Sequence, residues 1–301
     1  MLGIGKFIKA KREELKLSQE ELCYGICSAS TLSKIEKGSQ NPTRATFEAL
    51  MERMGQSKSI YPSFLSDIEK RAFELKYDFN ELYAKEMYDE AEKVLNKLNE
   101  LPKLDSVYDQ FIRLCNVLIK QQKGLPAEEA VKELGGIINV FIKDFSPEKI
   151  RNGLFTKTEI NMLNSYALAN HQAGYHELAI DILKELVLYI EYKVYDSEGI
   201  AIVYTKILSN LAKYVGMSGD DEEAVRLCEK GIKNCIRYHR YNSFPDLLYF
   251  KGFGLMNMGQ TEEAHQCIQE CFYIERAMGE QYAKNHESTK RYAKERCIKL
   301  V

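Results

Sequence analysis

Between its glycine and proline breaks the chain repeats apolar residues at i, i+3, i+4 and i+7, with no convincing apolar–polar alternation. That spacing gives a helix one buried face, whereas half-buried strands need a period of two. An all-α protein is predicted. The segment 4–16 puts Ile4, Ile8 and Leu15 on one face of a first helix. Ser18 reads as an N-cap, and Glu21 three residues on completes a capping box for a helix across Gln19–Gly25. After the turn Gly25-Ile26-Cys27, Ser28 caps a short helix Ala29–Lys37 that Gly38 terminates. Pro42-Thr43 opens a further helix through Met54, stopped by Gly55. Leu22, Leu32, Ile35, Phe47 and Leu50 fall on inward positions. Two short helices joined by a turn containing glycine form a helix-turn-helix.

From about residue 63 the helices lengthen. Phe64–Lys85 and Asp89–Glu100 read as a first antiparallel pair, and a final helix is expected near Tyr282–Ile298. Short sequences recur: MYDEAEKVL at 87–95, LPAEEAVKEL at 125–134, GYHELAIDIL at 174–183, GDDEEAVRLC at 219–228 and GQTEEAHQCI at 259–268. Each places an alanine just after a turn (Ala91, Ala130, Ala179, Ala224 and Ala264), at intervals of 39, 49, 45 and 40 residues. A small residue at the start of each second helix permits close helix–helix approach. This is tetratricopeptide-repeat (TPR) logic with longer, degenerate units, since tryptophan is absent and the second unit begins Leu-Pro.

Composition changes the picture little. The 301 residues carry 42 Lys+Arg and 44 Asp+Glu, 45% hydrophobic and 29% charged. These are ordinary globular values that exclude disordered and fibrous classes. Residues 1–60 carry a net +3 and the remainder −5, so the N-terminal part approaches phosphates more easily. No apolar run is long enough to span a bilayer, and Met1–Lys6 has no apolar signal region, which predicts a cytoplasmic protein without a membrane partner. The eight cysteines form no CxxC pair and read as reduced, packed thiols. Cys267, Cys271 and nearby His265 lack a fourth ligand, so helix packing is preferred over a metal. Cys23 and Cys27 read as buried small residues, with a redox pair as the alternative. GxxxxGK[ST], HExxH and GxSxG are absent, and Gly3-x-Gly5 is too short for a phosphate loop. The run Asp220–Glu223 reads as a helix cap. No cofactor, no catalytic residue and no enzyme activity are expected.

LSQEEL at 17–22, GICSASTLSKIEKG at 25–38 and NPT at 41–43 resemble the Cro/C1 (XRE) DNA-binding family. The sub-pattern Gly25-Ile26-Cys27-Ser28 is similar to the Rgg/PlcR/PrgX group, where such a domain precedes TPR-like repeats. The resemblance implies a lambda-repressor-like helix-turn-helix domain at 1–62, followed by a right-handed TPR-like α-solenoid at 63–301. It implies a transcription regulator that dimerises and senses a short signalling peptide, as in quorum sensing.

In a helix-turn-helix the second helix enters the major groove with its leading residues on base edges. Here those are Ala29, Ser30 and Thr31, with Lys34 one turn on and Ser28 both capping and within reach of phosphate. Gln19 and Arg44 each begin a helix, where backbone N–H groups suit a phosphate. One small domain contacts few base pairs, so a homodimer on double-stranded DNA is predicted. In the repeats, aligning each alanine to its repeat position makes Asn161, Asn164, Leu168 and His171 groove-facing. Lys206, Ser209 and Lys213, with Asn210 adjacent, follow in the next unit, and Asp246, Tyr249, Phe253 and Met256, with Asn257 adjacent, in the last. Asparagines can hold a peptide backbone, Lys206 or Lys213 its carboxylate, and Tyr249 and Phe253 its side chains. The alternative for each is a solvated or self-packed inner face. His171 reads as surface or packing, and Tyr189, Tyr192 and Tyr195 as inter-helix packing. Rival readings are a ligand-independent dimeric repressor, a protein-interaction scaffold similar to the Rap-type repeat proteins, and a helical adaptor that never touches DNA.

Overall fold

The computed structural model describes residues 4–55, 67–102, 104–193, 198–279 and 283–300. The 62/63 boundary, Gly3, Phe64, Tyr195 and Tyr282 lie outside the described residues. Every regular element among those described is helical, and contacts divide the chain into two compact units, Met1–Tyr175 and His176–Val301.

The first unit opens with four short helices, α1 (Ile4–Glu14), α2 (Gln19–Cys23), α3 (Ala29–Glu36) and α4 (Arg44–Arg53). The capping box forms as the sequence predicts: Ser18 Oγ accepts from Glu21 N at 3.1 Å and the Glu21 carboxylate accepts from Ser18 N at 2.7 Å. Ser28 Oγ accepts from Thr31 N at 3.0 Å and starts α3. Gly38, at φ +75°, ends it, with Ser39 N bonded back to Lys34 O at 3.0 Å. Thr43 is the N-cap of α4, so Pro42-Thr43 opens that helix as expected. One expectation is corrected. Leu15 is exposed, because α1 stops at Glu14 and Lys16 turns left-handed.

Helices α5 (Asp67–Ala84), α6 (Tyr88–Glu100), α7 (Ser106–Gln122), α8 (Ala127–Phe141) and α9 (Lys157–Gln172) complete this unit, with a 3-10 turn at Pro147–Asn152. Ile8, Leu22, Leu32, Ile35, Phe47 and Leu50 are buried in a core that continues without a break into Ala72, Leu75, Phe79 and Phe111 of the longer helices. Each such side chain contributes about 1.5–3 kcal/mol through removal from water. Three carboxylates near the starts of α5, α7 and α9 fasten α4 to this body. Glu69 accepts from Arg44 N. Asp105, the N-cap of α7, accepts from the hydroxyls of Thr43 and Thr46. Both carboxylate oxygens of Glu159 accept from Arg53 Nη2, at 2.7 and 2.8 Å.

The second unit holds α10 (His176–Lys193), α11 (Glu198–Met217), α12 (Asp221–Tyr238), α13 (Phe244–Asn257), α14 (Thr261–Met278) and α15 (Ala283–Glu295). Ala91, Ala130, Ala179, Ala224 and Ala264 are all buried, as the repeat pattern requires. The turns before them share one geometry, in which a residue three past the helix end bonds back across the final turn. The bonds are Met87 N to Leu82 O, Leu125 N to Lys120 O, Tyr175 N to Asn170 O, Asp220 N to Val215 O and Gln260 N to Leu255 O, at 2.9–3.2 Å. Asp220 caps α12 through Glu223 N at 3.1 Å, which is the role expected of that acidic run. Cys267 and Cys271 pack inward. Tyr189 is buried, but Tyr192 is exposed, because α10 turns that position to solvent rather than to a neighbouring helix. No helix among the described residues is long and apolar enough to cross a membrane, and no cluster of three or more His, Cys, Asp or Glu could hold a metal there.

Candidate nucleic-acid interface and repeat groove

Helix α3 buries Leu32, Ile35 and Glu36 and turns Ser30, Lys34 and Lys37 to solvent. The division follows from the 3.6-residue period: 30, 34 and 37 share one side. At its leading end Ser28 Oγ lies 3.0 Å from Ser30 Oγ and 2.8 Å from Thr31 Oγ1. Three hydroxyls therefore cluster at the first turn, with Ser28 and Ser30 exposed and Ala29 and Thr31 half-buried. The Lys34 ammonium stands one turn further along the same open side.

A buried ionic network supports this helix from behind. Arg12 Nε and Nη2 donate to the two oxygens of Glu36, at 2.6 and 3.0 Å, and Arg12 Nη1 donates to Leu17 O at 2.8 Å. Gln19 Nε2 donates to Glu36 at 2.7 Å. Burial pushes the Glu36 carboxyl up, but the bonds from Arg12 and Gln19 outweigh it and hold the group below the ordinary carboxylate range. The bond to Glu36 raises Arg12 in turn. Gln19 thus spends an amide hydrogen on the interior while half-exposed. Arg44 turns toward α5: its Nε donates to Glu48 at 2.8 Å and its guanidinium lies 4.7 Å from the Phe73 ring centre. The structure brings Ser28, Ala29, Ser30, Thr31 and Lys34 together and sets Arg44 apart from them.

The Arg12–Glu36 pair and the Arg53–Glu159 pair are absent from the sequence reading. Arg53 also donates to Leu22 O and Tyr24 O, and Gln110 Nε2 joins Glu159 at 3.2 Å. The signal available was Glu36 itself, a carboxylate next to Ile35 on the inward side of α3.

The residues read as groove-facing fall in both units. Asn161 and Asn164 lie on α9 of the first, with Asn164 buried and Leu168 and His171 half-buried. In the second unit Lys206, Asn210 and Lys213 form a stripe along α11, and Tyr249, Phe253 and Asn257 one along α13. Lys206 is reached by solvent, yet the protein crowds its ammonium and lowers its pKa, with Asp246 working the other way. Lys213 is exposed. Tyr249 and Phe253 are half-buried against Tyr292 of α15, with ring centres 5.5 and 5.7 Å away. Asn257 donates to Asp221 at 3.1 Å.

Residues 8–59 match the helix-turn-helix family. No curated protein matches the chain. Among solved structures, Bacillus thuringiensis PlcR in complex with the peptide PapR7 and DNA is similar, at 20% identity and a TM-score of 0.61, covering 96% of this chain and 99% of that one. ComR from S. thermophilus, in complex with DNA and its signalling peptide ComS, gives 16%, 0.55, and coverage of 96% and 97%. The apo competence regulator ComR from Streptococcus vestibularis gives 16%, 0.54, and 99% of both chains. The matched helix-turn-helix family is not an enzyme family. The chain therefore carries an N-terminal helix-turn-helix DNA-binding domain of the XRE type, followed by helical repeats in the fold seen in PlcR and ComR.

Proposed function

We propose that this chain is a cytoplasmic transcription regulator that binds double-stranded DNA as a homodimer and is controlled by a short signalling peptide bound to its repeats. The observation that carries the reading is the open side of α3: hydroxyls at the leading end, Lys34 one turn on, and no carboxylate on that side of the helix. Small hydroxyl side chains let the leading turn enter the major groove, and Lys34 reaches guanine acceptors or a phosphate. Solved structures with this fold were determined with DNA and a peptide together, a signalling peptide in the case of ComR, which supports both partners here. The crowded Lys206 and the exposed Lys213 suit a peptide carboxylate. Peptide binding favours one arrangement of the repeats, and in a dimer that resets the spacing of the two DNA-binding domains.

Selection of binding sites from a random duplex library by the full-length protein tests the DNA half. Enrichment of an inverted repeat with half-sites about 34 Å apart, or a multiple, is expected. Failure to enrich any sequence at low salt would remove the reading. A second reading, a dimeric repressor without a ligand, is favoured by one observation: α15 covers Tyr249 and Phe253, two of the side chains assigned to the peptide. Thermal shift with a library of short hydrophobic peptides separates the two. A shift supports peptide control, and no shift beside intact operator binding supports the repressor.

A further inference from the structure

Cys23 is the last residue of α2 and Cys27 immediately precedes the cap of α3, so the pair brackets the turn of the helix-turn-helix. Cys27 N donates to Cys23 O at 2.9 Å, which sets the two residues one helical turn apart. Cys23 Sγ donates to Glu20 O at 3.8 Å, within the same turn. Both side chains line a cavity of about 1080 Å³, bounded on its other side by the segment around Phe145 and Phe155 and floored by Arg53 and Glu159. Cys23 is 3% exposed and Cys27 half-buried, so this cavity is their route to small solutes.

We propose that Cys23 and Cys27 are an oxidisable pair that closes to a disulfide with a hydroperoxide and, through the start of α3, weakens DNA binding. The Cys23 thiolate attacks the peroxide, breaking its O–O bond to give a sulfenic acid and an alkoxide or hydroxide that takes up a proton. The Cys27 sulfur then attacks the sulfenic sulfur and expels water. Two thiols and one hydroperoxide become one disulfide, one alcohol (or water) and one water. Cys23 suits the attacking role, because the neighbouring Cys27 thiol and the Arg53 charge lower its pKa, while Cys27 is pushed up. Burial raises Cys115, Cys228, Cys235, Cys267 and Cys271 instead.

Closing the bond draws the two sulfurs together to about 2.05 Å. The turn between them cannot swing outward to absorb this. Gly25, at φ +72°, sits where an added Cβ would be 2.6 Å from Phe141 O, and Ile26 O is held by Ser106 Oγ. The displacement falls on the end of α2 and the cap of α3, where Ser28 sets the hydroxyl cluster. The effect on DNA rests on the function proposed above; the oxidation does not.

The full-length protein is treated with hydrogen peroxide, mapped by non-reducing peptide mass spectrometry, and titrated with operator duplex before and after dithiothreitol. A Cys23–Cys27 linkage and at least a tenfold loss of duplex affinity, both reversed by dithiothreitol, are expected. Cys27→Ser should give a dimedone-trapped Cys23 sulfenic acid and no linkage. Cys23 and Cys27 remaining reduced while the exposed Cys297 oxidises would overturn the pair, and a linked protein with unchanged affinity would overturn the switch. If the reduced protein binds no duplex, the functional reading fails while the peptide map still decides the chemistry.

Discussion

The Arg12–Glu36 pair removes two charges from water, and it holds because a bond from Arg12 to Leu17 O and one from Gln19 to Glu36 complete it. Removing one partner leaves the other buried and uncompensated, which costs about 3–5 kcal/mol. Glu36→Ala is expected to lower stability by about that much in urea unfolding. The depressed Glu36 carboxyl fixes the sign with pH: its contribution is present above the ordinary glutamate pKa and disappears as pH falls through the lower folded value. The difference between wild type and the variant should therefore shrink below about pH 4. On the outer side of the same helix, Lys34→Ala is expected to cost about 1–3 kcal/mol of specific duplex binding if it reads a base. A uniform loss across sequences, with a shallower salt slope, would assign it to a phosphate. Legibility at this scale was uneven. Ser18, Glu21 and Ser28 could be read because capping is local, a matter of three-residue spacing. Arg12 could not, since its partner is 24 residues away and nothing local marks an arginine for burial.

Single residues punctuate the elements. Gly219 turns left-handed at φ +92° between α11 and α12, and an added Cβ there would meet nothing within 4 Å. Gly219→Ala should therefore cost only the backbone term, about 1–2 kcal/mol. Gly5 is the opposite case: a Cβ would lie 1.8 Å from Ile35 O, so Gly5→Ala forces α1 and α3 apart. It should destabilise by more than about 3 kcal/mol and abolish duplex binding; equal melting temperatures for the two variants would contradict this. Between α14 and α15, Glu275 is almost fully buried and burial pushes its carboxyl up to about 6. A raised folded pKa means that stability is present below the ordinary glutamate value and lost as pH rises through 6. Relative to Glu275→Gln, the wild type should lose about 2 kcal/mol between pH 4.5 and 7, measured by urea melts of both proteins. Helices and their inward alanines were legible because a 3.6 period and a repeated turn are written in residue types. Their ends shifted by a few residues, as for α1, because caps compete over short distances.

At the scale of the molecule, the sequence marks the helix-turn-helix as a separate segment by its short helices and charge, yet the core runs on from α4 into α5 and α7 without a gap. That continuity was not legible, because it depends on which inward faces meet. The contact through Arg53 is the most buried polar part of it, with side-chain exposures of 3% for Arg53 and 0% for Glu159. Glu159 also completes the capping box of α9, through Thr156 N at 2.7 Å. One carboxylate therefore serves both the first turn of a repeat helix and the last turn of α4. Arg53→Met strands a charge and should cost about 3–5 kcal/mol, whereas Arg53→Met with Glu159→Met together removes both charges and should cost less than the sum of the single changes. Hydrogen exchange locates the effect: Arg53→Met should raise amide exchange in α9 as well as in α4. Exchange confined to α4 would mean that the DNA-binding helices open independently of the repeats, and that a signal from the repeats must reach them by a route other than this carboxylate.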